Sequence, residues 1–329
     1  MIQLRALRFA LCSIVLTSFA GCTLQSSDTG AGAVPATPEE PEAVAPAEPV
    51  AANIAALTST GRYALEMDNG GSAGWIQSSE DGGAVADVFV EASGKKQIGA
   101  VRDKNLVVRA DFNVSPTFYN WVNDSWVDPQ ISRSGKLGRS ISNGNSNSVP
   151  ESLHFQGARI VSTNFPALGG GNGTGATASI SVDLAADSIE HVGAMALPTG
   201  FGAPNFHPGN FSLSMDGIDP GGIVKIDAFS IASSVGPNQV VFPDLTVTVS
   251  NQSAVKWREW FRDFAFLGQN SDDKERSGTI TLTGDNGRKL IIHLGHVGIR
   301  RLVEVPATAT ASAAVKVVLY VETMTLEAR

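Results

Sequence analysis

The strongest constraint on this chain is that its sequence is written twice. Leu65-Glu66-Met67-Asp68-Asn69-Gly70 is echoed by Leu213-Ser214-Met215-Asp216-Gly217, each a β-rich run entering a turn. Leu106-Val107-Val108 is echoed by Leu245-Thr246-Val247. Without a gap, Phe118, Trp121, Val122 and Asp124 then match Trp257, Trp260, Phe261 and Asp263. Leu153–Gly157 parallels Ile291–Gly295, Ser179–Leu184 parallels Lys316–Val321, and Ser188–Glu190 parallels Thr325–Glu327. The blocks keep their order at offsets of 137 to 148 residues, far beyond any solenoid period. This pattern predicts a tandem duplication, with domains at 61–197 and 209–329 and a seam near Pro198–Pro208.

Each copy reads as strand, hairpin, strand, short helix, loop and several strands. In the first helix Ser115 is a candidate N-cap and Pro116 fits the first turn. Phe118, Trp121 and Val122 follow at i, i+3 and i+4. In the second helix Ser253 is the candidate cap, and Trp257, Trp260, Phe261 and Phe264 form the stripe. These aromatics are read as helix residues facing a core, not as a sugar platform or a cofactor box. Thr281–Ile292 alternates around Asn286-Gly287, a tight-turn pair. The first copy carries Ser140–Ser148 instead, rich in Asn, Ser and Gly, which predicts a looser loop. The fold class is mainly β: two tandem antiparallel barrel or sandwich domains, each with one short covering helix.

The first sixty residues have a different character. Arg5 and Arg8 precede a mostly apolar run from Phe9 to Ala20. That run is short of the roughly 20 residues that span a bilayer and suits a signal peptide over 1–21. Ala20-Gly21-Cys22 resembles a bacterial lipoprotein cleavage site, with Phe19 where leucine is usual. The resemblance implies lipidation at Cys22 and a membrane partner reached through that lipid. Residues 22–60 are rich in Ala, Pro and Glu, with Asp28, Glu39, Glu40, Glu42 and Glu48 and no Lys or Arg. Such a segment cannot bury enough apolar surface to fold and is expected to be a disordered tether, reaching about 35 Å as a coil. Thr23 follows the cysteine, with no aspartate to signal inner-membrane retention. Similarity to diderm lipoproteins then implies the outer membrane, on its periplasmic or cell-surface side.

Composition excludes several functions. The net charge is −8, which does not suit direct nucleic-acid binding. The only cysteines are Cys12 and Cys22, so the body has no disulfide, cysteine zinc site or cysteine nucleophile. Gly169–Gly175 is glycine-rich but precedes a β-type run rather than the helix a phosphate loop needs. His293 and His296 are three apart and would project to opposite faces of a strand, which disfavours a shared metal. His154, His191 and His207 show no partner motif, and Asp68, Asp216 and Asp219 lie in turns where aspartate bonds its own backbone. The run from Arg258 to Arg276 mixes both signs and reads as a solvated face or a subunit rim. Neither catalytic residues nor a cofactor are expected.

The order of strand, Trp-bearing helix, acidic turn, hairpin and closing β-pair resembles the tail-tube proteins of contractile phages and related injection systems. Phe118–Val122, Trp257–Phe261, Gly278–Leu282 and the stretch Val315–Leu326 carry the resemblance. It implies a non-enzymatic structural protein that forms a homo-oligomer, a trimer or ring, or joins tail-like assembly proteins. Phage tube proteins are neither secreted lipoproteins nor usually double, so a cell-envelope role is the reading for this chain. The alternative is a surface module binding a glycan or protein, for which Trp75 and Trp126 would share an open face. A hydrolase would need His191 or His207 joined to carboxylates in a cleft.

Overall fold

The computed structural model describes residues 63–68, 71–112, 114–142, 147–149, 151–169, 178–198, 206–233, 240–285 and 287–329. The expected signal peptide, Cys22, the tether, most of the glycine-rich loop and most of the seam lie outside them. The described residues all belong to one compact unit.

The first half contributes β1 (Tyr63–Met67), β2 (Gly71–Ile76), β3 (Ser78–Asp81), β4 (Ala84–Val90), β5 (Lys96–Asp103) and β6 (Leu106–Ala110). Helix α1 (Pro116–Val127) follows, then β7 (Ser132–Arg139), β8 (Ile141–Ser142) and β9 (Asn147–Ser148). It ends with β10 (Ser152–Phe165), β11 (Leu168–Gly169), β12 (Ile180–Ala185) and β13 (Ser188–Val192). The second half contributes β14 (Phe206–Met215), β15 (Ile223–Ile226), β16 (Phe229–Ser233), β17 (Val240–Val241) and β18 (Leu245–Ser250). Helix α2 (Val255–Phe261) leads to β19 (Arg276–Gly284), β20 (Lys289–Val305) and β21 (Ala314–Ala328).

The chain is mainly β, of the barrel and sandwich class. One sheet runs β2-β1-β7-β10-β12-β6-β3 with β13, β16 and β17 attached, and the other runs β11-β15-β18-β21-β20-β19-β14. In the first, Gly71–Asp81 pairs with β1 at its start and with β6 at its end, so the sheet curls round towards closure. Period-two burial explains the strands. Leu106, Val108 and Ala110 of β6 are buried, as are Leu245, Val247 and Val249 of β18.

The two sheets share a run of five strands in matching order. The order β1-β7-β10-β12-β6 corresponds to β14-β19-β20-β21-β18, with one helix after the sixth strand of the first half and one after β18. Irregularities correspond as well. The β10 ladder shifts between Ile160 and Ser162, and the β20 ladder between Ile299 and Arg301. Gly157 has φ +60°, and His296, 139 residues on, has φ +52°, the one left-handed non-glycine among the described residues. Left-handed backbone costs a residue with a Cβ roughly 1–2 kcal/mol. Gly157→Ala is therefore expected to lower unfolding free energy by about 1–2 kcal/mol, with its new Cβ meeting Asp187. Urea denaturation of the chain checks this.

The helices differ in their ends. Ser115 is the N-cap of α1 but makes no side-chain cap bond. The N-cap of α2 is Ala254 rather than Ser253, which lies in a preceding 3-10 turn. Beyond Phe261 the second helix widens into a π-turn over Arg262–Phe266. β19 ends at Gly284 and β20 begins at Lys289, with Asn286 of the predicted tight-turn pair outside the described residues, and β8 pairs with β9 within the predicted Ser140–Ser148 loop.

Candidate functional site

The helix aromatics differ in burial. Phe118, Trp121 and Trp257 are fully buried and Trp260 nearly so. Phe261 is half-buried and packs against the same cluster. One hydrophobic cluster holds residues of both sheets, from Leu65 to Leu326. Phe112 meets Phe206 edge-on at 5.7 Å, Arg288 donates to the Phe112 carbonyl at 2.8 Å, and the Leu326 amide donates to Asn123 Oδ1 on α1 at 2.8 Å. Trp126 is buried and donates to Thr163 Oγ1 at 3.4 Å, while Trp75 packs beside Ala64, Val149 and Met195. These two indoles do not form an open aromatic platform.

Sequence reading missed the histidine partners, because they are distant in the chain. His154 meets Asp68 at 3.0 Å, His207 meets Asp285 at 3.2 Å, His293 meets Glu327 at 3.2 Å and His296 meets Glu275 at 3.0 Å. The pairs are spread over β10, β14 and two positions of β20, so they do not converge on one reacting centre. Asp219 does bond its own turn, accepting from the Gly221 amide at 3.0 Å. In the mixed-charge run, Lys256 pairs with Glu259, Arg262 with Asp263 and Lys274 with Asp273. Glu275, His296 and Glu322 lie near one another, with the Tyr320 hydroxyl donating to Glu275 at 2.7 Å. A polar groove of about 350 Å³ runs past Asp216, Thr279, His293 and Thr323.

Two tyrosines respond to pH. Burial, then the charge of Asp111, pushes the Tyr119 hydroxyl well above its ordinary value of 10.0. Tyr119 donates to the Asp111 carbonyl at 2.6 Å. Burial and the bond to Glu275 raise Tyr320 in the same direction. Above about pH 10 the unfolded chain loses these protons while the fold keeps them, so stability falls as pH rises. The melting temperature is expected to drop between pH 9 and 11, more steeply than in Tyr119→Phe; equal slopes would contradict this.

The halves exchange edge strands. β16, from the second half, pairs with the end of β10 in the first sheet, Ser162 opposite Ala232 and Phe165 opposite Phe229. The Phe165 and Phe229 rings stack at 4.8 Å, and Ser230 donates to Asn164 Oδ1 at 2.6 Å. In return β11, from the first half, pairs with β15 in the second sheet, burying Leu168 completely. Edge strands expose unpaired backbone groups, and each half thus satisfies an edge of the other.

No family model and no curated protein matches the sequence. Among solved structures the chain is similar to the Hcp1 protein of the E. coli EAEC 042 pathovar, in a double-mutant form. Identity is 9%, the TM-score is 0.28, and the match covers 40% of this chain and 97% of that one. A likeness at that TM-score does not define the fold, which rests on the strand orders above.

Proposed function

We propose that this chain is a lipid-anchored, non-enzymatic structural protein, a tandem duplicate of one tube-like β unit that assembles with its own copies. The carrying observation is the reciprocal strand exchange. It is an association of two like units through sheet edges, already made once inside the chain. A contact between unlike edges of like units can be repeated by further copies, giving rings or filaments. The alternative binding module loses its main support with the burial of Trp126. The hydrolase reading loses ground because His207, although it meets Asp285, does not line the groove beside His293, and neither does His191.

Sedimentation velocity of the solubilised full chain over a range of concentrations tests the assembly. Discrete oligomers are expected, and a monomer throughout would overturn the reading. The anchor is tested separately. Cys22→Ser is expected to move the protein from the membrane fraction to the soluble fraction, since acyl chains would be its hold on the bilayer. Retention in the outer-membrane fraction by Cys22→Ser would contradict lipidation there.

A further inference from the structure

We infer that the β4–β5 hairpin of one chain adds to the free edge of β20 in a second copy, repeating between chains the contact that β16 makes with β10 within one. This inference rests on the assembly reading and names its surfaces. In the first half, β7 covers β10 from Ser152 to Arg159 and β16 covers it from Ser162 to Phe165. In the second half, β19 covers β20 only from Lys289 to Val297. Beyond that point β20 is paired with β21 on one side, and no described strand pairs with the other. The matched bulges set the correspondence, so Arg301–Glu304 stand where Ser162–Phe165 stand.

Burial shows the difference. Thr163 and Phe165 are 0% and 2% exposed beneath β16. Their counterparts are Leu302, half-buried, and Glu304, exposed, with Val303 exposed between them. Glu304 is held by Arg258, which donates from Nε at 2.8 Å and Nη2 at 2.9 Å. That bidentate pair leaves the edge more polar than its buried counterpart, which suits a contact made between chains rather than within a core.

The missing strand has a counterpart too. β16 follows β15 after two residues, turns back as β17 and leads into β18. In the first half β4 follows β3 after two residues, turns back as β5 and leads into β6. Yet among the described residues β4 and β5 pair only with each other. The hairpin carries Val88, Phe89, Val90, Ile98 and Val101, each more than half exposed. Such an apolar hairpin in water is a poor free-standing element. Among the described residues each chain therefore offers one unused hairpin and one uncovered edge, at positions that are joined within the chain. A second copy supplies the partner for both.

Single cysteines test the arrangement in the full-length chain. Val88→Cys and Phe89→Cys place thiols on opposite faces of β4, and Val303→Cys places one on the free edge. A bismaleimide linker is added, with the unsubstituted chain as baseline for Cys12 and Cys22. Mixing a hairpin variant with Val303→Cys is expected to give a covalent dimer absent from either variant alone, and a chain carrying both cysteines is expected to give a ladder. Cross-linking only between hairpins would overturn the inference. So would an absence of hairpin-to-edge dimers while sedimentation still shows oligomers, and in that case the assembly reading would survive. A monomer by sedimentation would remove both.

Discussion

Gly135→Ala is expected to lower unfolding free energy by about 3 kcal/mol, the upper range for an overpacked site. A Cβ at Gly135 would collide with the Glu66 carbonyl oxygen and lie 2.7 Å from the Phe155 ring. The carbonyl is backbone in the paired strand β1 and cannot swing away, and the ring is fully buried. Gly278 is the corresponding residue, facing Met215 as Gly135 faces Met67. Its Cβ would meet the Ser214 carbonyl at 2.7 Å and the Met215 sulfur at 2.9 Å. The carbonyl approach is looser than at Gly135 and the second neighbour is a flexible methionine rather than a ring, so Gly278→Ala is expected to cost less, about 1–2 kcal/mol. Denaturant midpoints of the two variants check the order, and an unaffected Gly135→Ala would contradict the close β1–β7 approach.

Trp121→Ala and Trp257→Ala are each expected to cost about 3–5 kcal/mol. Both indoles are completely buried, Trp121 on α1 and Trp257 on α2. Each helix is pinned to the core largely by these rings. Trp257 lies 6.0 Å from Trp260, and Trp121 lies 6.2 Å from Phe118. Phenylalanine at either site should be far milder. The Nε1 groups of both tryptophans are buried without a hydrogen-bond partner, and an unmet buried donor costs about 1–3 kcal/mol. Removing that donor offsets much of the lost volume. Calorimetry on the Ala and Phe variants checks this: both substitutions remove the donor, so their difference reads the lost ring volume, and equal losses would contradict the role of these rings in the core.

Much of the scaffold is written in local pattern. The alternation at Leu106, Val108 and Ala110, the long β-stretch Val315–Leu326 and the aromatic stripes all encode their own burial. What remained hidden depends on distance in the chain or on backbone geometry. Nothing local shows that Phe229 will stack on Phe165, or that Leu168 will be buried in the other half's sheet. The His154–Asp68 contact spans 86 residues. The left-handed bulge is legible as glycine at Gly157 but masked by histidine at His296. The candidate edge at Arg301–Glu304 is recognisable only once its covered counterpart is seen, since its residues alternate like any other strand.

Assembly through the repeated edge contact is open to direct inspection by negative-stain electron microscopy of the solubilised full chain. Rings or short filaments built from repeated double units are expected, the product of one edge contact carried from chain to chain. Isolated single particles at every concentration would contradict it.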